Sequence, residues 1–131
     1  LAAADIKLPG VHNIENYMTA IALTYGIAEN DAVTRVAKTF GGVEHRLEFI
    51  REKNGVKYYN SSIDSSPTRT AAALSTFKDK NSILICGGSD KNIPFDPLAE
   101  NLNLKAKAVV LTGEAGPKID AALAKVEELL A

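Results

Sequence analysis

Three times in this chain a strand-like run leads into a short polar loop and then into a helix opened by proline. Val56–Asn60 is followed by Ser61–Ser66 and Pro67, Ile83–Cys86 by Gly87–Lys91 and then Asp96-Pro97, and Ala108–Thr112 by Gly113–Gly116 and Pro117. Proline suits the first helical turn because its missing N–H would have had no partner there. Ser66 is a natural N-cap, since its hydroxyl can accept a free backbone N–H. Strand, loop and helix in repetition imply an α/β fold, a mostly parallel sheet with flanking helices.

Other elements precede this repeat. Pro9-Gly10 marks a turn, and Ile14, Tyr17, Met18, Ile21 and Tyr25 then recur at helical spacing. Asn30 is expected to cap a second helix with Val33, Val36, Ala37 and Phe40 on its buried face, broken by Gly41-Gly42. Leu47–Glu52 and Val56–Asn60 flank Asn54-Gly55, the strongest short-range hairpin signal. With those two as loop residues, Lys53 should face Val56, Phe49 should face Asn60, and Arg46 should face Ile63. The last helix is expected over Lys118–Ala131.

The composition narrows the functional classes. Fifteen basic residues against sixteen acidic ones leave a net charge of −1, so there is no electrostatic footprint for nucleic acid. No apolar run approaches the ~20 residues that span a bilayer, which argues against a membrane partner. Leu1–Lys7 lacks the order of a secretory signal. Cys86 is the single cysteine, inside an apolar run, and is expected to be buried and reduced. Two histidines and one cysteine, widely spaced, form no zinc pattern, so no metal ligand is assigned. A cytoplasmic setting fits. The chain starts without methionine and ends in a helical pattern, so a piece of a longer protein is expected, inactive by itself.

In parallel sheets, ligands bind beyond the carboxyl ends of the strands. The loops Ser61–Ser66, Gly87–Lys91 and Gly113–Gly116 are expected at that edge, and the hairpin brings Arg46 there too. Lys91 offers a point charge to an anion and Arg46 a bidentate one. Asp90 either orients Lys91 or caps the segment that follows. The start of the Pro67 helix suits phosphate or carboxylate, or is simply capped by Ser66. Asn13 and Asn16 share a helix face, where two carboxamides can meet the edge of a base or serve the helix itself. His45 is expected to pack or hydrogen-bond. No G-x-x-x-x-G-K-[ST] or G-x-G-x-x-G motif is present.

Four motifs occur in order: Gly10-Val-His-Asn-Ile-Glu-Asn16, Phe40-Gly-Gly-Val-Glu-His-Arg46, Tyr59-Asn-Ser-Ser-Ile-Asp-Ser-Ser-Pro-Thr-Arg-Thr70 and Gly87-Gly-Ser-Asp-Lys91. Together they resemble the Mur ligase family over nearly the whole chain. The Asp-Lys after the double glycine and the Ser-Pro-Thr-Arg-Thr helix start point to its D-glutamate-adding members.

The resemblance implies a cytoplasmic, monomeric, three-domain ligase. Residues 1–41 would be the tail of a central ATP-binding domain, and 42–131 part of a C-terminal Rossmann-like domain lacking its last strands. It implies ATP and Mg2+ as cofactors. ATP would activate a carboxylate of UDP-N-acetylmuramoyl-L-alanine as an acyl phosphate, and the amine of D-glutamate would displace the phosphate in peptidoglycan precursor synthesis. Asn13 and Asn16 would then contact adenine, and Arg46 the ribose or phosphates. Lys91 would be the catalytic and substrate-binding cation on a D-glutamate carboxylate, assisted by Ser65. The chain departs from the family pattern at Ser61, where an aspartate on the ribose side of the nucleotide is usual, and at Asp64, where a small residue is usual. A non-catalytic nucleotide- or anion-binding module and a folate-polyglutamate ligase are the alternative readings.

Overall fold

The computed structural model describes residues 1–130. The expected helix residue Ala131 lies outside them. Ten elements follow one another. A 3-10 turn at Ala3–Asp5 precedes helices α1 (Val11–Leu23) and α2 (Asn30–Thr39). Strands β1 (Glu48–Lys53) and β2 (Val56–Asn60) come next, then helix α3 (Pro67–Leu74) and strand β3 (Ser82–Gly87). Helix α4 (Asp96–Lys105), strand β4 (Ala106–Thr112) and helix α5 (Gly116–Leu130) complete the chain. They form two compact units, Leu1–Ile63 and Asp64–Ala131.

In the first unit, β1 and β2 make the antiparallel hairpin that Asn54-Gly55 announces, with both loop residues at positive φ. Lys53 faces Val56 as expected. Farther along the register shifts between Phe49 and Arg51, so Phe49 faces Tyr59 and Glu48 faces Asn60. The extra residue, Ile50, is a bulge, and two-fold alternation in the sequence gives no sign of it. The shift moves the chain before β1 by one place, and the carbonyl of His45, not Arg46, meets the N–H of Ile63 at 3.2 Å.

The two leading helices form where periodicity places them, but their faces differ from expectation. Ala37 of α2 is fully buried, while Val36 and Phe40 are exposed. Ala37 sits where the Lys7 N–H reaches its carbonyl at 2.9 Å and Lys38 pairs with Asp5 at 3.5 Å. This holds the chain's start against α2 along a narrow line, too narrow to cover Val36 as well. Met18 on α1 and Tyr25, just past its end, face solvent. Glu29, not Asn30, occupies the position before α2, without a side-chain cap.

The second unit is built on β3 and β4, which pair in parallel from Ser82↔Ala106 to Gly87↔Thr112. The parallel pairing expected from the strand–loop–helix repeat is present in these two strands, and β2 pairs only with β1 among the described residues. Ser66 caps α3, its hydroxyl accepting the Arg69 N–H at 3.4 Å with Pro67 behind it. Phe95 precedes α4, so Asp96 enters its first turn instead of capping it.

Leu74, Leu98, Leu102, Ala106, Ala115 and Ile119 form the core, drawn from all three helices, the start of β4 and the turn before α5. Leu84 and Cys86 of β3 and Val109 and Leu111 of β4 close over it. Successive strand residues point to opposite faces, so only this half of each apolar run is covered. Ile83 and Ile85 are 68% and 71% exposed, although the run reads as a fully buried strand. Cys86 is half-buried beside the core, a free thiol whose pKa burial raises. It is thereby kept protonated and poorly nucleophilic.

Candidate functional site

The second unit places Lys91 just past the carboxyl end of β3. Its position follows from how the loop is made. Gly87 and Gly88 adopt φ values of 139° and 101°, a region that L side chains avoid. A Cβ on Gly87 would lie 1.8 Å from the Thr112 carbonyl oxygen, and one on Gly113 would lie 2.7 Å from that of Gly88. The Gly88 N–H donates to the Thr112 carbonyl at 3.0 Å, and the Ala115 N–H donates to the Gly88 carbonyl at 3.0 Å. The double glycine therefore lets the loops after β3 and β4 cross backbone to backbone.

Beyond this crossing the loop is held again. Oδ1 of Asp90 accepts the Asn92 N–H at 2.9 Å, and its other oxygen pairs with the Lys118 ammonium near the start of α5. The Lys118 ammonium also donates to Oδ1 of Asn92 at 3.3 Å. The Lys118 contact first, then the Asn92 N–H, holds the Asp90 carboxyl below its ordinary pKa. Of the two roles open to Asp90, the structure selects the local cap: it bonds Asn92, not Lys91. Lys91 is exposed and has no polar partner among the described residues. Ser65, also exposed, stands one residue before the cap of α3 in the same unit.

The first unit shows a similar arrangement around Arg46. His45 and Leu47 both take left-handed backbone conformations, φ 64° and 47°. Such residues are strained and need neighbours to hold them. The Ser61 hydroxyl accepts the Leu47 N–H at 3.0 Å. The Asn60 carboxamide lies 2.9 Å from Nδ1 of His45 while its oxygen accepts the Ser62 N–H at 3.1 Å. That orientation points the Asn60 amino group at His45 and makes Nδ1 the acceptor. Glu48 accepts the His45 N–H at 2.8 Å. His45 thus has the hydrogen-bonding role expected of it. Arg46, between two pinned residues, presents an exposed guanidinium with no side-chain partner among the described residues.

Asn13 and Asn16 lie on one face of α1 as the spacing requires. Asn13 donates to the Pro9 carbonyl at 2.6 Å and accepts from Asn16 at 3.4 Å. Asn13, Asn16, Arg46 and Ser61 all belong to the Leu1–Ile63 unit. Sequence reasoning missed Asn60, Asn92 and Lys118. Lys118 lies 28 residues after Asp90, and only the parallel crossover brings them together.

A parallel β-α-β unit of this kind defines a Rossmann-like α/β domain, and its carboxyl-edge loop carries Lys91, a cation with no polar partner among the described residues. Its family is fixed by sequence: the chain belongs to the Mur ligase, glutamate ligase domain family, whose model matches residues 45–129. A UDP-N-acetylmuramoylalanine–D-glutamate ligase of Ruminiclostridium cellulolyticum is 56% identical over 117 residues, covering 89% of this chain and 25% of that protein. One from Acetivibrio thermocellus is 54% identical over 121 residues, 92% of this chain and 26% of that protein. The chain therefore spans about a quarter of the length of these relatives. Among solved structures, the UDP-N-acetylmuramate-alanine ligase MurC of Thermotoga maritima matches with a TM-score of 0.68 at 22% identity, over 92% of this chain and 29% of that one. MurF of Acinetobacter baumannii matches with a TM-score of 0.70 at 18% identity, over 90% and 27%. At these identities the likeness is one of fold, and it agrees with the Rossmann-like α/β class.

Proposed function

We propose that this chain is part of an ATP-dependent ligase that joins D-glutamate to UDP-N-acetylmuramoyl-L-alanine in peptidoglycan precursor synthesis. The observation that carries the reading is the exposed Lys91, without a polar partner among the described residues, on a loop held at both ends, in a chain over half identical to ligases named for D-glutamate. In this reading residues 1–41 are the tail of an ATP-binding domain, and 42–131 are part of the amino-acid-binding domain. The intact ligase works as a cytoplasmic monomer on small molecules. Among the described residues no helix is long and apolar enough to cross a membrane.

ATP supplies the phosphoryl group that activates the acceptor carboxylate. The D-glutamate amine then attacks the carbonyl carbon; the C–N bond forms, the C–O bond to phosphate breaks, and the amine loses a proton. On this chain the work is positioning and charge neutralisation. Lys91 holds a D-glutamate carboxylate and Ser65 donates to it. The Arg46 guanidinium, with no side-chain partner among the described residues to give up, fits a ribose or phosphate contact. Asn13 and Asn16 meet adenine through the capacity their mutual bond leaves, and Ser61 stands on the ribose side. Among the described residues no group of three His, Cys, Asp or Glu side chains stands ready for a metal, so the ligands of Mg2+ are not assigned to this segment.

The test is magnesium-dependent ADP release by the intact ligase, with UDP-N-acetylmuramoyl-L-alanine present, with and without D-glutamate. Release should require both, and Lys91→Ala should lower kcat/KM for D-glutamate by about 10–100-fold, the worth of a charged hydrogen bond. Nucleotide binding without ADP release would instead make this a binding module. Release that needs a folate would make it a folate ligase.

A further inference from the structure

Lys91 is exposed with no polar partner among the described residues, and both of its chain neighbours are tied to the same distant side chain. Asp90 pairs with the Lys118 ammonium, and Asn92 accepts from it at 3.3 Å. Asp90 and Asn92 are also joined directly, carboxylate to N–H, at 2.9 Å. Asn92 has a left-handed backbone, φ 53°, which turns the chain sharply after Lys91. On the other side the Gly88 backbone is clamped to Thr112 and Ala115 at 3.0 Å each. One end of the loop is thus fixed by backbone bonds, and the other by the Asp90–Asn92 bond together with Lys118, the one distant side chain that grips both residues.

We propose that Lys118 is a positioning residue for Lys91: by gripping Asp90 and Asn92 it fixes where the Lys91 ammonium stands to receive a carboxylate of the amino-acid substrate. This rests on the reading of Lys91 as the D-glutamate site. Lys118 is half exposed, and ion pairs in such positions add little to stability. Its effect is therefore geometric. A free lysine side chain samples many rotamers, and holding the backbone at its base reduces what must be ordered on binding.

The experiment compares Lys118→Gln, Lys118→Arg, Asp90→Asn and Lys91→Ala in the intact ligase. The readouts are KM for D-glutamate, KM for ATP, melting temperature, and hydrogen exchange of the Asn92 amide. Lys118→Gln and Asp90→Asn should raise KM for D-glutamate about tenfold, with KM for ATP and the melting temperature nearly unchanged. Lys118→Arg should restore most of the loss. The Asn92 amide should exchange several-fold faster in Lys118→Gln. If Lys91→Ala abolishes D-glutamate binding while Lys118→Gln binds it like the wild type, the positioning role is overturned and the ligase reading stands. If Lys118→Gln weakens both substrates in step with a lowered melting temperature, the residue is merely structural and the proposal fails. If Lys91→Ala leaves D-glutamate untouched, the site reading fails instead. The Asn92 amide then decides the rest: faster exchange in Lys118→Gln supports the grip on the loop, and unchanged exchange overturns it.

Discussion

The Ser61 hydroxyl accepts the backbone N–H of Leu47 at 3.0 Å, joining the exit of β2 to the entrance of β1 across fourteen residues. Leu47 is held in a left-handed conformation, and Arg46 is the residue before it. The hydroxyl is therefore part of what sets the exit angle of the Arg46 side chain. Ser61→Ala leaves a part-buried N–H without this acceptor and should cost about 1–3 kcal/mol in urea unfolding. It should also raise KM for ATP in the intact ligase. Ser61→Asp keeps an acceptor in place and supplies a second oxygen to a ribose, so KM for ATP should fall. An unchanged KM for ATP in both variants would remove Ser61 from the nucleotide side.

The glycine crossing predicts unequal costs at adjacent positions. Gly87→Ala drives a Cβ into the Thr112 carbonyl, backbone against backbone, and the parallel pair must separate to admit it. Gly88→Ala meets nothing within 4 Å and suffers only its φ of 101°. Gly88→Ala should cost about 1–3 kcal/mol, the range of a strained backbone residue. Gly87→Ala should cost clearly more, or prevent folding. Equal costs by chemical denaturation would show that the loops are not locked together.

Much of this architecture is legible in the sequence, and the failures have physical causes. Asn54-Gly55 and the proline-opened helices are signals of a few residues, and β2, α3 and the start of α5 stand where they put them. The Ile50 bulge is not legible, because Phe49 and Ile50 are both good strand formers and no glycine or proline marks the break. Nor is the exposure of Ile83 and Ile85: an apolar run reads as buried on both faces, whereas α3, α4 and α5 build the core beneath Leu84 and Cys86. Lys91 and Arg46 were visible as cations beside glycines and hydroxyls. Asp90–Lys118 was not, because its partners meet only after β4 has paired with β3. The double glycine permits a sharp turn or a close backbone approach, and the backbone it meets is that of the neighbouring loop.

Leu102 is the largest side chain in the unit with virtually no exposure, 1%, while Leu104 on the same helix is 52% exposed. Cutting a buried leucine to alanine loses transfer free energy and leaves a cavity. Leu102→Ala should therefore destabilise the protein by about 2–5 kcal/mol. Leu104→Ala should stay within about 1 kcal/mol, since a half-exposed leucine gives up less burial. Similar midpoints for the two variants would mean that the core does not centre on Leu102.

Acid should release the Lys91 loop at a pH lower than an ordinary aspartate would set. Asp90 has its pKa depressed below the usual 3.8, first by the Lys118 hydrogen bond and then by the Asn92 N–H. A carboxyl with a lower pKa folded than unfolded contributes its stabilisation fully above the unfolded value. That contribution disappears as pH falls through the depressed folded value. The Asn92 amide resonance, which reports the bond to Oδ1, should thus titrate with a midpoint below 3.8. Lys118→Gln removes the larger cause, so the midpoint should rise toward the ordinary range. In Asp90→Asn the transition should vanish, because an amide does not titrate there. A wild-type midpoint at or above 3.8 would show that Lys118 does not grip Asp90 in solution.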